Sequence, residues 1–428
     1  MRVNNGKIFI VAEVPFPEGM ASTACVSLMA KGLSANGAGV CLAVMSNSFN
    51  AKADERGQEG VYNGIPFHIF NNHNAPKGHF SRRSYQNIKD LAQLLQHRHK
   101  QNYQDTVLLY DNNFFKYYAL LRVCKRYNIS YIPWEVERNS ASSPGKGLRG
   151  YISWYTKRLS ERLVCRQANK MIVISSQLKF YFTARIRAER IHIAPIMVDP
   201  QEAMLMPVLE DSNFIKETYD ALQKEYAVIV YSGSFGEKDG FPYILAAFER
   251  YAKLNHKVCL VCTGKPSKYT SVDDLLSQVK DKEIRSRIHY FGLVSRTELN
   301  YINRQADLLL VCRSNSEFAR HGFPWKLGEY LMTKNPIIAT RVGDLERYFS
   351  DDELFIAQPE DADAIYQQMM AVFADKKDAM KKAGKAYVKA LELFDYKQVT
   401  QECLAFILSQ ITRSTVLLFY VSNYDSFI

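Results

Sequence analysis

Short apolar runs alternate with stretches of helical period along most of the chain. Lys7 to Val14 reads as a buried strand, and the loop Pro15-Phe16-Pro17-Glu18-Gly19 follows it. From Ala24 to Leu33, the apolar residues Ala24, Leu28 and Leu33 fall near helical spacing. Gly37 and Gly39 close that helix, and Val40 to Met45 is a second strand. A βαβ opening of this kind predicts a parallel sheet. Thr106 to Tyr110, Tyr131 to Trp134 and Lys170 to Ser175 read as further strands, with an apolar helix over Tyr117 to Tyr127 among them. The region from Ile193 to Pro207 is rich in Pro and Met, has no period, and reads as a linker between domains. The alternation then restarts. Ala227 to Tyr231, Val258 to Cys262, Ile288 to Phe291, Leu308 to Cys312 and Pro336 to Thr340 are strands. Pro242 to Ala252 is a helix with Ile244, Leu245, Phe248, Tyr251 and Ala252 on one face and proline in its first turn. The last hundred residues are mostly helical, with helices predicted over Ala362 to Phe373, Lys376 to Ala390 and Tyr396 to Gln410. Thr412 to Ile428 continues no pattern. The expectation is an α/β protein of two similar halves.

Composition adds a class and a sign. Hydrophobic residues make up 47% and charged residues 23%, a globular composition that excludes wholesale disorder and collagen-like repeats. The 55 Lys and Arg exceed the 44 Asp and Glu, giving +11, which permits nucleic acid, anionic lipid or a phosphorylated ligand as partner. The excess is local. Between positions 144 and 190, eleven cations from Lys146 to Arg190 face only Glu161 and Glu189. Tyr151, Trp154, Tyr155, Leu159 and Leu163 interleave with them near helical spacing. The segment reads either as a helix on an anionic membrane surface or as one whose apolar face enters the first domain's core. No nucleic-acid-binding module accompanies it, so no nucleic-acid partner is expected. No apolar run reaches the ~18 residues of a membrane span. The run Ile8 to Ala12 ends at Glu13 without a signal-peptide cleavage pattern. The eight cysteines sit mostly in apolar segments and suit reduced, buried thiols. Cys259 and Cys262 form a C-x-x-C inside a buried-strand pattern with no second pair nearby, which reads as core rather than as a zinc or redox site. The expected location is cytoplasmic, with peripheral contact at the inner face of the plasma membrane.

Two strand-to-helix loops carry glycine. In the first, Gly19 precedes a helix start with Ser22 and Thr23 as candidate caps. In the second, Gly233 and Gly236 stand between a buried strand and a helix. Such loops either let backbone N–H groups approach a phosphate or simply turn tightly. Neither completes G-x-G-x-x-G, which disfavours a dinucleotide oxidoreductase, and no G-x-x-x-x-G-K-[ST] is present, which disfavours a P-loop NTPase. The most informative segment is Glu317-Phe-Ala-Arg-His-Gly-Phe-Pro-Trp-Lys-Leu-Gly-Glu329, followed by Tyr330 to Thr340. Gly322 and Pro324 start a helix, Lys326 lies in its first turn, and Glu329 follows three residues later on the same face. The amides and Lys326 suit a phosphate, and Glu329 suits ribose hydroxyls. The plainer alternative is an i,i+3 pair on a solvated face, worth ~0.2–0.5 kcal/mol.

This segment resembles the donor-site signature of retaining GT-B glycosyltransferases, specifically glycosyltransferase family 4 (glycosyl transferases group 1). Gly322, Phe323, Glu329 and Pro336-Ile-Ile-Ala-Thr340 match it, and Val342-Gly343-Asp344 continues the pattern. Val230 to Gly240 looks like the family's donor-phosphate loop, and His289 to Ser295 with Glu298-Leu299 like its next element. Ala306 to Leu310 looks like the strand before the signature, Pro15 to Leu33 like the N-terminal loop and helix, and Asn169 to Ser176 like the strand closing the first domain. The resemblance covers roughly residues 7–400. It implies two Rossmann-like domains facing across a cleft: residues 1–200 for the acceptor and 201–395 for the nucleotide-sugar. Residues 396–428 would form a helix packing back toward the first domain, plus a tail. It implies Glu329 on the ribose and Lys238 on the diphosphate, with Gly233 and Ser234 of the loop, Gly19 from the opposite domain, and Lys326 as a second phosphate contact. Gly322, Phe323 and Leu327 belong to the same donor signature, and Glu329, Lys238 and His321 form the expected catalytic set. No metal and no cofactor beyond the nucleotide-sugar are implied. Three departures stand out. His321 replaces the first of two family glutamates, Ser234 replaces an arginine after the loop glycine, and Lys238 sits one position early. Glu135, in Trp134-Glu-Val-Glu137, stands where a first-domain histidine is common, as a sugar contact or as a solvated strand end. The implied reaction is hexosyl transfer with retention to a saccharide acceptor, lipid-linked in bacterial surface polysaccharide assembly. A nucleotide-sugar epimerase or a non-catalytic partner subunit would keep the same fold.

Overall fold

The computed structural model describes residues 5–409 except 18, 20, 46–58, 71–79, 111–112, 139–146, 206, 237 and 267–270. Thr412 to Ile428 and Lys146 therefore lie outside the described residues. Two parallel sheets organise the chain. The first has the order β3-β4-β2-β1-β5-β6-β7-β8. Its strands are β1 (Ile8–Ala12), β2 (Val40–Val44), β3 (Glu59–Tyr62), β4 (Ile65–Ile69), β5 (Thr106–Tyr110), β6 (Ser130–Glu135), β7 (Met171–Val173) and β8 (Ile191–Ile193). All neighbours pair in parallel except β3 and β4, a hairpin turned by Asn63 and Gly64, both at positive φ. The second sheet has the order β11-β10-β9-β12-β13-β14. It comprises β9 (Ala227–Ser232), β10 (Val258–Thr263), β11 (Ile288–Tyr290), β12 (Leu308–Val311), β13 (Ile337–Thr340) and β14 (Phe355–Ala357). This is the two-domain α/β architecture that the resemblance implies.

Both sheets are covered on both faces, which is why their strands read as continuous apolar runs rather than as alternation. In β1, Ile8, Ile10 and Ala12 face one core and Phe9 and Val11 the other. In β10, Cys259 and Val261 face one side and Leu260 and Cys262 the other. The C-x-x-C therefore points its two thiols to opposite faces, and both are free and buried. Burial raises both, Cys259 to about 12.

The core on one face of the second sheet continues into the first domain, joining Leu327 and Phe394 to Val173, Leu178 and Phe182. At the chain crossover, Val198 N donates to Phe394 O at 2.8 Å and Tyr396 N to Val198 O at 3.0 Å. The helix Tyr396–Leu408 then returns to the first domain. It buries Tyr396, Val399, Cys403 and Ile407 there, and Asn36 Nδ2 donates to Lys397 O at 2.8 Å. The basic segment forms the helix Gly147–Gln167. Val164 enters the first domain's core. Leu148, Tyr151, Ile152 and Tyr155 in the first turns are exposed. No described helix is long and apolar enough to cross a membrane.

Candidate functional site

In an open parallel sheet, ligands bind beyond the carboxyl ends of strands where the order reverses. The second sheet reverses between β9 and β12, and the first between β1 and β5. The loops that leave β9 and β1 are the two glycine loops singled out in the sequence.

Beyond β9 the chain is stitched to the end of β12. Gly240 N donates to Cys312 O at 2.8 Å, and Ser314 N to Lys238 O at 3.2 Å. Phe235 holds a positive φ of 56°, unusual for an aromatic residue. Its ring is locked at 5.2 Å from Tyr231 and 4.7 Å from Phe241, which fixes the loop in that strained form. Asp239 is the loop's electrostatic centre. Its Oδ2 accepts from Ser234 Oγ at 2.7 Å and from Gly236 N at 3.4 Å, and its Oδ1 accepts from Lys326 Nζ at 3.4 Å. Burial alone would raise this carboxyl. Lys326, the Ser234 hydroxyl, Lys238 and Arg313 outweigh it and hold the group ionised well below the usual carboxylate range. Lys326 is pushed down by burial and only partly restored by Asp239. It also lies 4.7 Å from the Tyr231 ring centroid. A side chain at Gly233 would collide with the Tyr231 hydroxyl and stand 2.9 Å from Lys326 Nζ, so the loop needs glycine to sit against these groups.

The first domain reaches the second with two consecutive residues of opposite sign, Glu137 at this loop and Arg138 at the helix Glu317–His321. Glu137 pairs with Lys238, and Arg138 pairs with Glu317. The Arg138 guanidinium lies 3.6 Å above the Tyr181 ring. The Tyr181 hydroxyl donates to Glu161 at 2.5 Å, and the His321 ring meets Tyr181 edge-on at 5.6 Å. His321 Nδ1 lies 2.7 Å from Glu317 O, and His321 O accepts from Ser175 Oγ at 2.6 Å. Burial lowers the His321 pKa, so the ring is neutral near pH 7. His321 thus faces the first domain across the cleft, in a cluster with Tyr181 and Arg138.

Glu329 occupies a different part of the same interface. It lines a small cleft of about 60 Å³ with Leu28 of the first helix, Trp325, Arg296, Asn300 and Glu202. Burial raises its carboxyl, Arg296 pulls it down, Glu202 pushes it up, and Lys326 acts only at longer range. The i,i+3 ion pair does not form, because Asp239 takes the Lys326 ammonium. Lys326 and Glu329 thus serve two separate compartments of the short helix Trp325–Leu331.

The remaining candidates fall as follows. Phe323 and Leu327 point their side chains into the core, Phe323 against Tyr348 at 5.3 Å, so only their backbone is available to a ligand. Gly322 packs against the Arg313 guanidinium. Gly19 is exposed in the loop after β1, where a side chain would strike Thr23. Thr23 is no helix cap: its Oγ1 donates to Pro15 O at 2.7 Å. Glu135 sits at the end of β6 beside Val173, and it is Glu137, two residues on, that reaches the second domain. Sequence reading missed Glu137, Asp239 and Arg313. The first two stand inside quoted motifs, but their roles come from tertiary partners: Glu137 pairs with Lys238 across the domains, and Asp239 pairs with Lys326. Among the described residues no group of three His, Cys, Asp or Glu side chains converges as a metal site.

Residues 216–388 match the family profile described as Glycosyl transferases group 1. No curated protein matches the chain. Among solved structures, sucrose-phosphate synthase from Thermosynechococcus elongatus is similar at a TM-score of 0.68 and 13% identity, over 93% of this chain and 97% of that one. Anabaena HepE, solved with UDP and glucose, is similar at 0.68 and 15%, over 95% and 100%. An α,α-trehalose-phosphate synthase (UDP-forming) from Burkholderia xenovorans, solved with glucose-6-phosphate, is similar at 0.66 and 13%, over 94% and 100%. The chain thus has the GT-B fold over most of its length, and most of its second domain matches glycosyl transferases group 1.

Proposed function

We propose that the protein transfers a hexosyl unit from a nucleoside-diphospho-sugar to a saccharide acceptor, with retention of configuration, as a family 4 glycosyltransferase. The observation that carries this reading is the cation-rich loop at the switch point of the second sheet. There Lys238 and Lys326 flank an ionised, buried Asp239. A diphosphate binds where fixed cations and backbone amides meet at such a loop, and the same groups offset the charge that builds on the departing diphosphate. Glu329, in the adjoining cleft with Arg296 and Asn300, suits the ribose. The match of residues 216–388 and the UDP-bound relative on this fold support the same reading. The donor loop itself supplies the positive charge, so the transfer proceeds without a metal.

The acceptor is lipid-linked in this reading, as in bacterial surface polysaccharide assembly at the cytoplasmic face of the membrane. The support is the exposed apolar row Leu148, Tyr151, Ile152 and Tyr155, set among Arg149, Lys157, Arg158 and Arg162. Each cation near an anionic leaflet contributes ~1 kcal/mol, and the exposed aromatics suit the interface. Anionic vesicles should sediment the protein at low salt, and replacing Tyr151 and Tyr155 by Ser should weaken this. No sedimentation at low salt removes the membrane half of the reading.

The reaction is tested by incubating the protein with labelled UDP-, GDP- and ADP-sugars, with and without a saccharide acceptor. Acceptor-dependent release of the nucleoside diphosphate is expected. A new epimer without transfer would mean an epimerase on this fold, and no binding of any nucleotide would mean a non-catalytic partner subunit.

A further inference from the structure

Arg313 lies two residues beyond β12, at the switch point, with its backbone bridged to Asp239. It is 7% exposed, among the most buried cations of the molecule. Its backbone is satisfied: Arg313 N donates to Thr340 Oγ1 at 2.6 Å, and Thr340 Oγ1 donates back to Arg313 O at 2.9 Å. Its guanidinium is not. Among the described residues it makes no hydrogen bond and no ion pair, although Glu137 and Asp239 both act on it electrostatically. The head group lies against Gly322, where an added Cβ would stand 3.3 Å from one terminal nitrogen and 3.4 Å from the other. The Tyr231 hydroxyl is buried beneath Gly233 in the same place.

A guanidinium carries five donors, cannot shed its proton in a protein, and is costly to bury unpaired. A structural arginine in such a place would have its carboxylate. Here Asp239 gives its oxygens to Ser234, Gly236 and Lys326, and Glu137 pairs with Lys238. Among the described residues, three cations thus meet two carboxylates, one of which comes from the other domain. That excess of positive charge suits an anion, and a planar fork favours one with paired oxygens.

We propose that Arg313 is a diphosphate-binding residue, its fork taking phosphoryl oxygens of the nucleoside diphosphate from the β12 side while Lys238 and Lys326 act from the loop and the helix. Ser234, where the resemblance expects an arginine, is committed to Asp239, so the charge is supplied from a different strand. The inference rests on the nucleotide-sugar reading for its ligand, but its geometry calls only for a diphosphate.

Calorimetric titration of the full chain with UDP, GDP and ADP, with the matching nucleosides, and with inorganic pyrophosphate tests it. Arg313→Ala should weaken the bound nucleoside diphosphate about ten- to a hundredfold, the loss of a charge-assisted paired bond. The phosphate-free nucleoside should bind unchanged. Arg313→Lys, which keeps the charge and loses the fork, should fall between. Should Arg313→Ala not fold, Arg313→Lys and Gly322→Ala, which crowds the guanidinium, carry the same comparison, with melting curves as the control for folding. Diphosphate affinity unchanged in these variants, or a loss shared equally by the nucleoside, overturns the proposal. If the wild type binds pyrophosphate through Arg313 but no nucleotide, the glycosyltransferase reading falls and the anion site stands. If it binds neither, both fall.

Discussion

The two domains meet along two seams built from opposite materials. At the rear, Val198 is hydrogen-bonded to Phe394 and Tyr396 through backbone, and Gly328 admits Val198 so closely that an added Cβ would lie 3.1 Å from its Cγ1. Phe394 is fully buried among Phe323, Tyr348 and Phe349. At the front, contact is made by side-chain charges: Glu137 on Lys238 and Arg138 on Glu317. The rear seam is held by apolar packing and backbone bonds, and only its edge at Val198 and Gly328 borders the Glu329 cleft. Each charge at the front can exchange its protein partner for a ligand's. On the proposed function, the rear holds the domains together and the front serves the substrate.

The largest expected effect breaks the rear. Phe394→Ala removes a wholly buried ring beside the backbone crossover to Val198 and should cost about 3–5 kcal/mol, since its neighbours cannot collapse into the space. Urea denaturation measures this. A loss below about 1 kcal/mol would mean that the seam is not the structural one. Lys238→Ala at the front should do the reverse. Its pair with Glu137 is partly solvated, so stability should shift by less than about 1 kcal/mol. Turnover should fall about a hundredfold, as expected for a cation set against the leaving diphosphate. Steady-state kinetics with the donor found by the binding screen reads this. A variant that melts early but turns over normally would reverse the roles of the two seams.

A subtler change sharpens the contrast. Glu137 pairs with Lys238, so on the proposed function it competes with the diphosphate. Glu137→Gln should therefore tighten nucleoside diphosphate binding a few-fold, the gain from removing a competitor. Weaker binding would make Glu137 part of the ligand's own site.

The rear seam and both sheets were largely legible in the sequence, because continuous apolar runs separated by helical stretches have few alternatives to a doubly covered parallel sheet. The β3–β4 hairpin was passed over although Asn63-Gly64 marks a two-residue turn. Its strand Glu59–Tyr62 is mostly exposed and carries little apolar signal. β14 is only Phe355–Ala357, too short for a periodicity to register. The front seam was half legible. Lys238, Lys326 and Glu329 stand in quoted motifs, whereas Glu137 and Arg313 act through tertiary neighbours far away in sequence. The i,i+3 proximity of Lys326 and Glu329 suggested one shared site, but a buried Asp239 competes for the ammonium at 3.4 Å and separates them.

The smallest effect concerns Glu329, which combines features of both seams. Burial raises its pKa above that of an ordinary glutamate, with Arg296 opposing and Glu202 adding to the rise. The folded protein therefore holds this proton more tightly than the unfolded chain does. Stability from this group is present at acid pH and is lost as pH rises through the folded pKa. Glu329→Gln has no proton to lose, so it should melt slightly higher than the wild type at about pH 8 and nearly alike at about pH 4, the acid end of the carboxyl range. If the carboxylate accepts from ribose hydroxyls, the same variant should bind the nucleoside diphosphate more weakly, so a gain in stability would accompany a loss in affinity. Melting curves at both pH values, with and without nucleotide, read the two together. A wild type more stable than Glu329→Gln at the higher pH would show that Arg296 satisfies the carboxylate as a structural pair, and Glu329 would then belong with the rear seam rather than with the ligand.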